Sequence, residues 1–535
     1  MKNNNLCLLF GFTLLASGSS FADDNKHHTS SPIIANVVNT DFNLSPFIGL
    51  LSTQHERHLT LYQSDANFIK VHFSQFNIPD NAWVTVSNLA GTEVYRYDNK
   101  TGTKRTFSQS AGENGVNQFS SMSIFGDTAI VTLHLPDVNT WRSEHGIKVD
   151  HFFAGNEEND SSGSDFSPIT SNAESQLFPD SVDKLSTCGV NERRDVQCWA
   201  GDYSNEFDRS RPVARLLMGG RGLCTAWRVG DSNHMFTNNH CMSTQNEVEN
   251  SEIWFNYQYL ECNGRVLDKV VKVTGAQLLD TDYNLDYSLF TVNDFADITQ
   301  FGYFGLDVRT PEKGEQIFIP QHGAGNPKEL SIESDQNAGG LCQIDTAMTG
   351  GRGTNTDTGY YCDTTGGSSG SPVLASSSNS VIALHHFGGC ENQGVRIDLI
   401  WPKVANFFNN NIPCGDDNDS CDNPDPIAKQ LVSGVPVVDL SDVRSSEVLY
   451  VLTTEEDNLT ISVQLTGSSG DADLYVAKNR LPTRVDYDCR PYKSTSNESC
   501  EIVLQSSGKV YIMLHGYSSY DGVTLTATAT QQQEP

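Results

Sequence analysis

The run Gly366-Gly367-Ser368-Ser369-Gly370-Ser371-Pro372 sets a serine among glycines. That is the composition of a tight turn able to expose Oγ and aim backbone N–H groups at one point beside it. A nucleophile next to preorganised donors is what acyl transfer requires. A serine hydroxyl is a weak nucleophile, so it needs a base, and the base needs a group to orient it. Upstream, Phe236-Thr237-Asn238-Asn239-His240-Cys241 offers His240 as the base, and Tyr283-Asn284-Leu285-Asp286-Tyr287-Ser288-Leu289-Phe290 offers Asp286 as the orienting carboxylate. In that scheme Ser369 attacks a carbonyl carbon, His240 carries the proton to the leaving group, and the N–H groups of Gly367 and Ser369 form the oxyanion hole. No metal and no cofactor is required.

Three loops so far apart in sequence need a rigid scaffold to bring them together. The chain order histidine, aspartate, serine is that of chymotrypsin-like double barrels, whereas subtilisins and α/β-hydrolases use other orders. The patterning agrees with a β scaffold. Short alternating runs include Phe68-Ile69-Lys70-Val71-His72-Phe73, Trp83-Val84-Thr85-Val86 and Ala129-Ile130-Val131-Thr132-Leu133-His134-Leu135, separated by turn signals such as Pro79-Asp80-Asn81. The expected fold is mainly β: a chymotrypsin/trypsin-like double β-barrel flanked by an N-terminal β-sandwich of propeptide type and a C-terminal β-sandwich. One helix is expected near the end of the barrel segment, over 402–408.

At 535 residues the chain is too long for a single core. Residues 1–22 read as a secretory signal, with Lys2 in a polar start, an apolar run, and Ser20-Phe21-Ala22 at the cleavage point. No later stretch approaches the ~20 apolar residues of a membrane helix. Cys7 falls in the signal, which leaves 12 cysteines, an even number in an exported chain and a composition that favours disulfides over metal ligands. A formal net charge of -31 argues against nucleic acid and against anionic membrane surfaces as partners. The expected partners are protein or peptide substrates, the expected state is a monomer, and the expected location is extracellular.

Composition divides the chain further. Residues 23–155 carry the first β-rich domain, which contains no cysteine, and 156–186 form a polar linker suited to processing. Residues 187–413 hold the three chemical loops and eight cysteines. An acidic hinge follows over 414–426; its spacing is not that of an EF-hand loop, so a charged spacer is expected there rather than a metal site. Residues 427–530 form a last sandwich, with strands around Leu459, Ala472, Val510 and Val523. Its Tyr475, Tyr511, Tyr517 and Tyr520 suit either a binding face or cross-strand packing.

Two stretches carry a family resemblance. Cys188-Gly-Val-Asn-Glu-Arg-Arg-Asp-Val-Gln-Cys198, Gly222-Leu-Cys-Thr-Ala-Trp227, Thr237-Asn-Asn-His-Cys241 and Trp254-Phe-Asn-Tyr-Gln258 together resemble the mature start of bacterial lysyl endopeptidases, secreted trypsin-fold serine proteases made as precursors. Gly470-Asp-Ala-Asp-Leu-Tyr-Val476 and Tyr511-Ile-Met-Leu-His-Gly516 resemble the bacterial pre-peptidase C-terminal domain. The first resemblance implies a secreted serine endopeptidase with catalytic His240, Asp286 and Ser369. It also implies the disulfides Cys224–Cys241, Cys198–Cys262 and Cys188–Cys390, which leaves Cys342 to Cys362. Cys414–Cys421 and Cys489–Cys500 are the local pairs.

One residue departs from the trypsin pattern. Trypsin-type enzymes carry an aspartate just before the nucleophile, which pairs with a newly freed N-terminus; here that position is Ser368, as in lysyl endopeptidase-like enzymes. Activation is therefore expected through loss of an inhibitory propeptide after a cut between 156 and 187, with Lys184 a candidate for self-cleavage. Specificity stays open. Asp363, six residues before Ser369, has the spacing of a trypsin-like pocket carboxylate and suggests cleavage after Lys or Arg. A later loop, Glu391-Asn392-Gln393, is where lysyl endopeptidases carry theirs. Thr364 and His386 resemble the residues with which glutamyl endopeptidases receive glutamate. An alternative of another class is a catalytically silent, protease-like adhesion protein.

Overall fold

A computed structural model describes residues 31–44, 56–156, 186–416 and 428–531, apart from 445, 455, 485 and 486. The signal segment, Lys184, Cys421 and most of the linker and hinge lie outside the described residues.

Nearly all regular structure is β, as the alternating runs require. The first region is a sandwich. A six-stranded sheet centred on Gly146–Gly155 and Phe68–Asn77 faces a four-stranded sheet of Glu56–Tyr62, Thr128–His134, Trp83–Asn88 and Val94–Tyr97. Val71 and Phe73 from one sheet and Val84, Val86, Val131 and Leu133 from the other share one core.

The middle region holds a closed six-stranded barrel and a second, eight-stranded sheet. Gly222–Arg228 pairs with Val213–Met218 on one side and Met235–Thr237 on the other, and Tyr287–Val292 follows Met235–Thr237 round the barrel. The second sheet runs from Arg194–Asp195 to Ile344–Thr349 and, unlike the barrel expected there, is not closed by continuous ladders. Among the described residues, the single bridges Gln316–Gln343 and Glu333–Leu341 bring its far end back. Ile344–Thr349 itself pairs with Asp357–Tyr360 in irregular register. The helix expected over 402–408 begins earlier, as Ile397–Val404, with a 3₁₀ turn at Ala405–Phe408. Its Ile397, Ile400, Trp401 and Val404 are buried at helical spacing, and this packing carries the helix through Pro402.

The last region is again two four-stranded sheets, and residues of both, such as Leu474 and Ile512 with Ile461 and Leu525, form one core. Tyr475, Tyr511 and Tyr520 are buried, which favours packing over a binding face for these three; Tyr517 alone of the four is exposed. Five disulfides join the expected partners: Cys188–Cys390, Cys198–Cys262, Cys224–Cys241, Cys342–Cys362 and Cys489–Cys500.

Candidate active site

His240 lies in the turn after Met235–Thr237, and Asp286 stands immediately before Tyr287–Val292, the strand that pairs with it. This adjacency brings together residues 46 apart in sequence: His240 Nδ1 is 2.8 Å from Asp286 Oδ2, and the His240 backbone N–H donates to Oδ1 at 3.0 Å. Asn238 Nδ2 donates to the Asp286 carbonyl at 2.8 Å, which ties the two turns together again. Asp286 adopts a φ of 43°, a left-handed conformation that its fastened turn sustains.

Asp286 has further partners that the sequence did not reveal. His386 Nδ1 lies 3.0 Å from Asp286 Oδ2, while His386 Nε2 lies 2.5 Å from Asp357 Oδ2. An Arg352 guanidinium nitrogen stands 3.2 Å from Asp286 Oδ1. Burial disfavours charge on Asp286, but His240 and His386 outweigh it and hold the carboxyl well below the usual range. Burial likewise opposes charge on His386, yet Asp357 and Asp286 raise its pKa to about 9. The outcome is a buried row, His240–Asp286–His386–Asp357. Its neighbour His385 is pushed down to about 3 by burial and by the two other histidines, and its Nδ1 lies 2.7 Å from the Tyr360 hydroxyl.

The Ser369 backbone is linked to this row through the barrel. Thr225 N–H donates to the Ser369 carbonyl at 2.8 Å, the preceding residue, Cys224, is bridged to Cys241, and Cys241 adjoins His240. Thr225 Oγ1 donates to the Gly367 carbonyl at 3.0 Å, so one strand residue grips both sides of Ser368. Gly367 and Gly370 have φ of 96° and 88°, and a Cβ on Gly370 would lie 2.1 Å from the Thr225 carbonyl oxygen. Only glycine fits there. The Gly366 carbonyl accepts from Ala324 N–H at 2.7 Å. Because a trans peptide points its N–H opposite its C=O, this bond turns the Gly367 N–H away from Ala324. Neither Gly367 N–H nor Ser369 N–H has a protein acceptor among the described residues.

Ser368, at the position of the trypsin aspartate, is held by neutral groups. Its Oγ donates to Gln321 Oε1 and accepts Thr365 N–H, while Gln321 Nε2 donates to Ser331 Oγ at 2.8 Å and to the Asp363 carbonyl at 3.0 Å. All of these side chains are buried. The sequence singled out Ser368 but carried no signal for Gln321.

The expected pocket residues are dispersed. Both Asp363 carboxylate oxygens accept backbone N–H groups, from Cys188 at 2.8 Å and Glu192 at 2.7 Å, so Asp363 pins the start of this region. Thr364 donates its N–H to the Ser186 carbonyl at 3.1 Å, and its buried Oγ1 has no partner among the described residues. Asn392 Nδ2 donates to the Ser186 and Cys362 carbonyls, and a Cβ on Gly388 would lie 2.0 Å from Ser186 Oγ. Ser186 is thus wedged between Thr364 and Gly388. His386 belongs to the row behind His240 rather than beside Thr364.

Two His/Cys/carboxylate groups come close enough to share an ion among the described residues. In Cys224–His240–Cys241 both sulfurs are spent on a disulfide. In His72–Asp150–His151, in the first sandwich, both His72 nitrogens already face carboxylates, Asp150 at 2.5 Å and Glu113 at 3.0 Å.

Residues 186–395 match the family model described as lysyl endopeptidase, C-terminal domain, and 447–516 match the bacterial pre-peptidase C-terminal domain. Over 117 residues the chain is 42% identical to alkaline serine exoprotease A of Vibrio alginolyticus, 21% of either chain. It is 44% identical over 140 residues to the virulence metalloprotease of Vibrio anguillarum, 26% of this chain and 22% of that one. The chain therefore spans about a fifth of the length of these two proteases. The secreted RxLR effector protein 73 of Plasmopara viticola is 31% identical over 405 residues, which cover 72% of this chain and 92% of that one. The chain belongs to the same family as that protein, and over residues 186–395 it carries a peptidase-family domain.

Proposed function

We propose that the chain is a secreted serine endopeptidase acting through Ser369, His240 and Asp286 and an acyl-enzyme. The observation that carries this reading is the His240–Asp286 pair, joined through Cys241–Cys224 and Thr225 to the turn that presents Ser369. Ser369 Oγ attacks the scissile carbonyl while His240 Nε2 takes its proton, and Asp286 holds the imidazole by Nδ1 and stabilises the imidazolium. The Gly367 and Ser369 N–H groups receive the oxyanion, and His240 then protonates the leaving amine. Both the metal chemistry in the name of the Vibrio anguillarum relative and the serine chemistry in the name of the Vibrio alginolyticus one come from matches to about a quarter of this chain or less. Neither is carried over. Extracellular location follows from the signal-like start, the disulfides and the secreted relative.

For the residue before the scissile bond, we infer no charged preference. Asp363 is buried and its two oxygens already hold backbone N–H groups, which sets it apart from a pocket carboxylate open to Lys or Arg, and glutamate recognition by His386 would displace one of its two aspartate partners. Digestion of a diverse peptide pool by the processed protein tests both parts. Cuts are expected without dominance of Lys, Arg or Glu before them, and Ser369→Ala is expected to lower kcat on the order of 10⁴–10⁶-fold. An unchanged rate in Ser369→Ala rejects the serine mechanism and leaves another chemistry, and no cleavage by the processed wild type leaves the adhesion reading; dominance of one charged residue rejects the pocket assignment alone.

A further inference from the structure

We propose that residues 31–34 of this chain lie as a substrate-like strand in the leaving-group half of its own cleft, so that the uncut protein has a built catalytic centre with one side closed. The inference rests on the serine endopeptidase reading above.

The leaving amine of a scissile bond takes its proton from His240, so the chain beyond it must continue past Cys241 and the bridge to Cys224. That space is filled. Ser31 Oγ lies 3.3 Å from Cys224 Sγ. Pro32 accepts at its carbonyl from the Leu223 N–H at 3.0 Å, Ile33 bridges Gly222 in antiparallel register, and Ile34 donates its N–H to the Arg221 carbonyl at 2.8 Å. The Pro32 ring covers Gly366, where an added Cβ would lie 2.9 Å from Pro32 Cγ. Gly366 adjoins the oxyanion donor Gly367, so Pro32 stands beside the reacting centre. An extended segment adding to an exposed strand end is a standard mode of peptide recognition.

The first sandwich anchors this segment. Ala35, which begins its strand Ala35–Leu44, joins Phe68, Leu217, Trp254 and Tyr257 in a buried cluster spanning sandwich and barrel. Buried Lys70 pairs with Glu252 of the barrel, and buried Lys272 pairs with Glu93 of the sandwich at 2.7 Å. Meanwhile the nucleophile turn is fastened by Thr225, Ala324 and Gln321, none of which needs a freed N-terminus. Inhibition would thus be steric occupation of one half-cleft rather than an unformed centre.

Full-length protein, verified as uncut by intact mass, is tested with a small fluorophosphonate, which needs only the nucleophile and oxyanion hole, and with quenched peptides extending well beyond the scissile bond. The wild-type chain is expected to be labelled at Ser369 yet to cleave the peptides slowly. Ile34→Pro, which deletes the N–H given to Arg221, and Pro32→Asp, which removes the ring over Gly366, are each expected to raise peptide cleavage at least about fivefold, the scale of one backbone hydrogen bond. Their labelling rates should stay unchanged. Peptide rates no faster in either variant would overturn the proposal, as would an uncut chain refractory to the label while the processed chain accepts it. If the processed chain also fails to label at Ser369, the serine reading itself falls, and the two failures are told apart.

Discussion

At the residue scale, Asp286 is the hub of the site. In a two-partner triad a carboxylate orients one imidazole; here a second imidazole, His386, shares the same oxygen and is itself backed by Asp357. A charged His386 offsets the Asp286 carboxylate and limits how far His240 can turn. His386→Gln keeps one hydrogen bond but loses the charge, so kcat is expected to fall about 10- to 100-fold, the range of a buried charged hydrogen bond, with KM nearly constant. The same substitution has a pH signature. A histidine raised to about 9 in the fold stabilises it fully below its unfolded value near 6.5, and that contribution fades as pH rises through 9. It is worth on the order of 3 kcal/mol. Thermal unfolding of the wild type should therefore weaken between about pH 6.5 and 9, and His386→Gln should flatten that decline. Equal alkaline slopes would show that His386 is not the group that titrates. His240, Asp286 and Ser369 were legible in the sequence because the chemistry demands those types in loops and in that order. Asp357 and Arg352 were not, since Asp357 joins the row only through His386 and Arg352 meets Asp286 only in the folded chain, and Asp363 had the right spacing for a pocket but accepts backbone N–H groups from Cys188 and Glu192.

At the scale of elements, the strand Gly222–Arg228 does three jobs at once. Its Cys224 braces the histidine turn, its Thr225 holds the nucleophile turn, and Gly222 and Leu223 at its start receive residues 32 and 33. Gly370→Ala would force a Cβ into the Thr225 carbonyl at a φ of 88°, at a cost of about 1–3 kcal/mol or an undocked turn. The expected outcome is loss of peptidase activity together with a lower unfolding midpoint; full activity would mean the turn is not held by this contact. The strand Leu459–Thr466 was readable from its alternation of apolar and polar residues, which its alternating burial matches, whereas Glu498–Leu504 buries Glu498 and exposes Val503 and gave no such signal. The incomplete closure of the second sheet was not readable, because hydrophobic period marks strands and not how the two edges of a sheet meet. The start of Ile397–Val404 was misplaced because Pro402 suggests a first turn, whereas the buried stripe begins at Ile397.

At the scale of the molecule, the first sandwich and the barrel meet through a buried ionic seam. Glu252 accepts from Lys70, from Ser123 and, at 2.9 Å, from the Trp254 indole, so removing Lys70 takes from a buried interface carboxylate its hydrogen-bonded cation and leaves Lys272 as the other nearby positive charge. Lys70→Ala is expected to cost about 3–5 kcal/mol of association. After a cut in the linker, the wild-type sandwich should remain bound on gel filtration and the Lys70→Ala sandwich should separate. Co-elution of both would show that apolar contacts around Phe68 and Trp254 hold the interface without the seam. The sequence announced a separate N-terminal domain by composition, but not its hold on the cleft, since Lys70 and Glu252 are 182 residues apart.

The most direct test of the central claim is fluorophosphonate labelling of the processed protein, with the adduct mapped by peptide mass. A single adduct on Ser369 is expected, formed much more slowly in His240→Ala and absent in Ser369→Ala. An adduct on another serine, or a processed and proteolytically active protein that takes no label, would contradict that claim.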